Sequence, residues 1–166
     1  MRGGLRRGPS RIASLLLGGA LAVFFTGVAV SAEKPKNVVF ESFPEGTGYA
    51  MVAKVWMADP EYQDYVTLFQ APPHFSLGMA DLNNDGTPEL FAMHNDDIYG
   101  FCKKSLCRMH IYASTPKGAV EIGRMWTMDP VKVLPEMTKG IKNLAMPGED
   151  GRMHTYLWDG KAYKPQ

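Results

Sequence analysis

Across residues 75–163 short apolar runs alternate with turn residues, a pattern that confines this stretch to antiparallel strands. Phe75–Ala80 and Glu89–His94 flank a turn-rich segment. Residues 107–113 and 119–128 flank Thr115-Pro116-Lys117-Gly118, and 131–134 and 141–145 flank another turn. Met153–Trp158 and Ala162-Tyr163 flank Asp159-Gly160, and Asp-Gly between apolar runs is a strong hairpin signal.

The texture upstream differs. Residues 48–57 are apolar round most of their circumference and read equally as a buried helix or a buried strand. Asp59-Pro60-Glu61 is a helix start: Asp59 caps, Pro60 suits the first position, and Glu61 favours the positive end of the helix dipole. Tyr62, Tyr65, Val66 and Phe69 follow at helical spacing, and Pro72-Pro73 ends the helix by Ala71. Helices followed by strands imply an α+β domain, with one or two N-terminal helices packed on an antiparallel sheet of about five strands. Residues 33–47 read as a tail with one short extended run, Val38-Val39-Phe40. Residues 48–166 then form a single domain, since no repeat or long linker divides them.

Residues 1–32 are set apart by charge. Arg2, Arg6, Arg7 and Arg11 are their only charged residues, an uncharged apolar stretch covers 12–30, and Val30-Ser31-Ala32 offers small residues for a cut after Ala32. This is the layout of a secretory signal peptide. An uncleaved anchor is the alternative, because the run approaches the ~20 residues that span a bilayer; Gly18, Gly19 and Gly27 dilute it. Cleavage predicts a periplasmic or secreted chain, residues 33–166, with no stable membrane association. Without the four arginines, 14 Lys and Arg face 17 Asp and Glu, a balance of −3. That balance disfavours a nucleic-acid partner. In an oxidising compartment the two cysteines, Cys102 and Cys107, are expected to form a disulfide. Their spacing is not that of a Cys-x-x-Cys redox pair, and their number excludes a four-cysteine zinc site.

One segment carries a metal signature. In Asp81-Leu82-Asn83-Asn84-Asp85-Gly86-Thr87-Pro88-Glu89, positions 1, 3, 5 and 9 place side-chain oxygens, position 6 is glycine, and Thr87 offers a carbonyl at position 7. These are the first nine positions of an EF-hand-type calcium loop. Position 12 is Ala92, so the bidentate glutamate is missing, and the flanks read as strands. Three carboxylates in nine residues repel one another unless a cation binds. The expected ligands are Asp81, Asn83, Asp85, Thr87 and Glu89, the expected ion is calcium in a structural role, and the expected affinity is weak, roughly 10⁻⁴–10⁻³ M. A metal-free polar turn is the plainer alternative, since Asn-Asp-Gly suffices for one.

With its flanks, from Gly78 to Ala92, the loop resembles the calcium loop of FG-GAP or VCBS-type segments, where it joins two strands. A propeller of such segments is excluded, because one copy is present. The wider chain resembles small exported bacterial proteins of uncharacterised function. They carry one such loop, a cysteine-bracketed turn, a hairpin and a C-terminal segment like Tyr156-Leu157-Trp158-Asp159-Gly160-Lys161-Ala162-Tyr163. In that group the cysteine turn is typically glycine-rich, whereas here it is Lys103-Lys104-Ser105-Leu106. The resemblance implies the disulfide and brings no activity with it.

Other chemistry is thinner. His74, His94, His110 and His154, with ten methionines beyond Met1, raise copper handling, with Met109-His110 and Met125-x-x-Met128 as the nearest approach to a cluster. Methionine as a core filler is the plainer account. No Gly-x-Ser-x-Gly elbow, His-Glu-x-x-His motif or phosphate-cradling glycine loop occurs. Tyr156, Trp158 and Tyr163 are expected to cover the core beneath the helices; an open face would instead bind a protein or a glycan. The sequence thus predicts a small exported binding or accessory protein with one disulfide and one structural calcium, an inhibitor or an envelope interaction module. The alternative is a calcium-dependent envelope hydrolase using Glu89, Asp96 or His94, with Asp97 beside it.

Overall fold

Asp59 starts a helix as its chemistry dictates. In the computed structural model, which describes residues 33–42, 47–71, 73–95 and 98–166, its side chain accepts the backbone N–H of Glu61 at 2.9 Å and Pro60 occupies the first turn. The helix α2 (Pro60–Phe69) ends where Gln70 turns left-handed at φ 53°. The apolar segment before it is also a helix, α1 (Thr47–Met57). Residues 1–32, expected above to be a signal peptide, and the Asp96-Asp97 pair lie outside the described residues.

The rest is strand. The first sheet contains β2 (Glu41–Ser42), β3 (Phe75–Ala80), β4 (Glu89–His94), β5 (Cys102–Lys103), β6 (Leu106–Thr115) and β7 (Gly118–Thr127). Its order is β2-β3-β4-β6, and β5 and β7 both pair with β6. The second sheet, in the order β1-β8-β9-β10-β11, contains β1 (Lys36–Asn37), β8 (Lys132–Thr138), β9 (Ile141–Pro147), β10 (Met153–Trp158) and β11 (Tyr163–Pro165). All these pairings are antiparallel.

This overturns the α+β expectation. The chain is mostly β, 49% strand against 18% helix, in two antiparallel sheets rather than one of about five strands. The physical reason lies in β4, whose six residues are all buried. Its odd residues Phe91 and Met93 join Val38, Leu82, Met109, Ile111, Val131, Val133, Leu144, Met146 and Tyr163 in a core drawn from both sheets. Its even residues Leu90 and Ala92 join Val52, Trp56, Tyr62, Tyr65, Phe75, Leu77, Phe101 and Tyr112. A strand apolar on both faces needs two covers. The hairpins after Met128 supply one by forming a sheet of their own. Tyr156 and Trp158 accordingly pack against the core containing Val133 and Leu144, not beneath the helices.

Residues 36–42 serve both sheets, since β1 pairs with β8 and β2 with β3. Val38 between them is buried, and its N–H donates to the Val131 carbonyl at 2.8 Å. Among the described residues no helix is long and apolar enough to cross a membrane.

Gly78 on β3 lets Val38 approach: a Cβ there would stand 2.4 Å from Val38 Cγ1 and 3.1 Å from the Val39 carbonyl. Gly78→Ala is expected to cost about 1–3 kcal/mol through overpacking, measured by urea unfolding. Val38→Ala in the same chain should return part of that loss, because it removes the clashing methyl.

Candidate functional site

The 81–89 loop is the connection between β3 and β4. Gly86 takes φ +83° with open space where a Cβ would sit, and Asn84 takes φ 60°. Three side chains fold the loop on itself. Asp81 Oδ2 accepts the Gly86 N–H at 3.0 Å, Asn83 Oδ1 accepts that of Asp85 at 2.9 Å, and Asp85 Oδ1 accepts that of Thr87 at 2.7 Å. The Asn83 amide donates to Asp85 Oδ2 at 2.8 Å and lies 3.4 Å from Glu89 Oε1.

Glu89 is buried at 3% exposure, and its Oε2 accepts the Leu82 N–H at 2.7 Å. Burial pushes its carboxyl above the ordinary range; the Leu82 N–H opposes this, and the charges of Asp85 and Asp81 add to it. Asp85 moves the other way, held down by the Thr87 N–H and then by the Asn83 amide. Asp81 Oδ1 is buried without a hydrogen-bond partner. The loop also touches the second sheet. Lys142 on β9 donates Nζ to the Asp81 carbonyl at 3.1 Å and its N–H to the Leu82 carbonyl at 2.8 Å. Among the described residues no group of three or more His, Cys, Asp and Glu side chains stands ready to hold a metal.

Cys102 and Cys107 are joined by a disulfide, and no other cysteine exists. They face each other in the β5–β6 hairpin, with Lys103 opposite Leu106. The turn residues are Lys104 at φ 48° and Ser105 at φ 69°. Two-residue turns of this hand favour Asn-Gly, and residues with a Cβ pay roughly 1–2 kcal/mol each for the left-handed region.

A third constellation escaped sequence reasoning. Tyr62 on α2 reaches the sheet face, and its hydroxyl lies 2.8 Å from His94 Nε2 and 2.9 Å from His110 Nε2. Both histidines are essentially fully buried. One hydroxyl proton cannot serve two acceptors, so at least one ring donates its Nε2–H to the Tyr62 oxygen. Glu121 Oε2 stands 3.5 Å from His110 Nδ1. We therefore assign the proton of His110 to Nδ1, which leaves its Nε2 to accept from Tyr62, while His94 Nε2–H donates to the Tyr62 oxygen. Burial holds His94 down to about 3 and lowers His110 as well. Both are neutral at physiological pH.

A β-bulge between Ile111 and Tyr112 places Glu121 opposite Tyr112 and Gly123 opposite Ile111. Ile122 is the extra residue, and so Glu121 and Arg124 share one face of β7 although an odd number of positions separates them. Arg124 grips Glu121 through Nε at 2.8 Å and an Nη at 2.9 Å, and stands 3.8 Å from Asp59. Burial raises the Glu121 carboxyl, but His110 and the Arg124 fork outweigh it and hold the group at about 2. Glu121, Arg124 and Asp59 line an open cleft of about 320 Å³ with Trp56, Tyr62 and Tyr112. Its one cation, Arg124, is shared between the two carboxylates. The clue in the sequence was the alternation Arg108, His110, Tyr112 on one face of β6, but nothing in it placed Tyr62 opposite.

The geometry separates the residues named for hydrolysis. Glu89 and His94 lie at opposite ends of β4 and on opposite faces, Glu89 toward Leu82 and His94 toward Tyr62. Of the four histidines named for copper, His94 and His110 converge, and the Tyr62 hydroxyl holds the point between them.

Both histidines titrate lower in the folded chain than their ordinary 6.5. Unfolded chains therefore take up protons that the fold refuses. Stability should be full above about pH 7 and fall as pH drops from about 6.5 toward 5.5, read as a declining melting temperature. Tyr62→Phe, which strips a partner from each imidazole, should cost about 1–3 kcal/mol in urea unfolding at pH 7.5. No protein-family model, no curated protein and no solved structure matches this chain.

Proposed function

We propose that this chain is a small exported binding or accessory protein whose 81–89 loop, of the FG-GAP or VCBS type, takes one structural calcium. The observation that carries the reading is the orphaned, buried Asp81 Oδ1 in a connection that already gathers the Asp85 and Glu89 carboxylates around the Asn83 amide. A buried acceptor without a donor is costly, and a cation satisfies it without needing an N–H. Asp81, Asn83, Asp85 and Glu89 would offer side-chain oxygens and Thr87 its carbonyl, a hard-oxygen set suited to calcium. Bound calcium supplies two positive charges to three carboxylates. To ligate through oxygen, Asn83 must withdraw Oδ1 from the Asp85 N–H, because its Nδ2 now faces Asp85 and Glu89.

The role follows from where the loop sits. It joins two buried strands of the first sheet, and Lys142 fastens it to the second. An ion there fixes the β3–β4 register and the seam between the sheets together. The disulfide supports export to an oxidising compartment. Among the described residues His94 and Glu89 do not meet, so no observation there favours the hydrolase.

With an affinity of roughly 10⁻⁴–10⁻³ M, 10 mM calcium should stabilise the purified protein by about 1.4–2.7 kcal/mol. That is a rise in melting temperature of about 4–10 °C. Asp85→Ala should remove the response, and magnesium should give less of it. An unchanged melting temperature at 10 mM calcium would sink the calcium reading.

A further inference from the structure

The disulfide-closed hairpin stands over one wall of a second concavity. Lys103, Lys104, Leu106, Trp126 and Glu149 line a pocket of about 200 Å³. Trp126 lies opposite Arg108 across the β6–β7 pair, so the two share a face. Lys103 Nζ sits 5.3 Å from the Trp126 ring centroid and Arg108 Cζ 5.4 Å from it. The two cations differ in what else they touch. Arg108 is bonded to Glu61 at 2.6 Å and is half-spent as a charge. Among the described residues neither Lys103 nor Lys104 forms an ion pair, and both are exposed.

Several features make this a prepared site rather than a stray pair of lysines. The ring quadrupole of Trp126 orients the Lys103 ammonium. The disulfide fixes the hairpin that carries both lysines. The turn holds Lys104 and Ser105 in the left-handed region, where glycine would rest more easily, and such conformations concentrate at binding sites. Glu149, an exposed lining residue, presents a carboxylate that can accept from hydroxyl donors. In the larger cleft Arg124, Glu121 and Asp59 leave one net negative charge; here Lys103, Lys104 and Glu149 leave one net positive charge.

We propose that this pocket binds one carboxylated sugar residue of an acidic saccharide. Lys103 and Lys104 receive the carboxylate, Trp126 and Leu106 supply the apolar wall for the ring, and Glu149 accepts from its hydroxyls. Aromatic and cationic groups together suit a ligand that is anionic at one end and ring-shaped at the other, and the volume admits a single ring. The inference gives a ligand class to the binding role proposed above and is independent of calcium.

Glucuronate is the probe, with glucose and inorganic phosphate as comparisons. The readout is the Trp126 indole N–H in nitrogen-15 spectra of the purified protein, identified by its loss in Trp126→Phe. Glucuronate should shift it saturably at millimolar concentration, and glucose should bind at least fivefold more weakly. Phosphate should leave the indole in place. Lys103→Gln with Lys104→Gln should weaken glucuronate at least fivefold while leaving the melting temperature unchanged. No saturable shift, or undiminished binding by the double variant, overturns the proposal, and an equal response to phosphate overturns the sugar assignment. The titration should give the same affinity with a calcium chelator present. Failure here appears as a silent indole, whereas failure of the calcium reading appears as a calcium-insensitive melting temperature.

Discussion

Burial of β4 on both faces is the constraint on which the rest of the fold depends. Six consecutive residues, Glu89–His94, are withdrawn from water. One face meets the second sheet through Phe91 and Met93, and the other meets the helices through Leu90 and Ala92. The two polar residues of the strand sit at its ends, and each is answered by a specific partner. Glu89 accepts the Leu82 N–H, and His94 meets Tyr62. Buried polar groups require such partners. These two contacts tie the loop at one end of the strand and α2 at the other.

Local chemistry was legible in the sequence. Asp59-Pro60 announced its helix, Gly86 its positive φ, Asp159-Gly160 its hairpin, and the cysteine pair its bond. These signals act over a few residues and need no partner from elsewhere. What sequence reasoning could not reach is non-local. A hairpin pattern says that two strands pair, but not whether the next hairpin extends that sheet or turns over to cover it. The unbroken apolar run of β4 held the missing information, because a strand with one solvated face alternates. Tyr62 looked like one more apolar residue on a helix, and nothing in its neighbourhood named two histidines 32 and 48 positions away. The bulge at Ile122, which aligns Glu121 with Arg124, leaves no mark in composition either.

The two faces of the first sheet divide the molecule's chemistry. The face toward the second sheet is almost wholly apolar, and the 81–89 loop lies beside it, fastened by Lys142. The face toward the helices carries Arg108, His110, Arg124, Glu121 and Trp126 in and around the buried Tyr62 cluster. The ion proposed at the loop and the recognition proposed at Trp126 would therefore make separate demands. The first concerns the seam between sheets and the second a surface of β6 and β7.

The pairing of β1 with β8 has a consequence for how the chain assembles. The β3–β4 and β6–β7 hairpins need only neighbours in the chain and can zip as they form. Lys36 and Asn37 must instead wait for Val133 and Lys132, nearly a hundred residues later. Among the described strand pairings that closure spans the longest loop and so carries the largest loop entropy. Val38 therefore gains its first cover from β3, at Gly78, and its second only when the later sheet forms beside it.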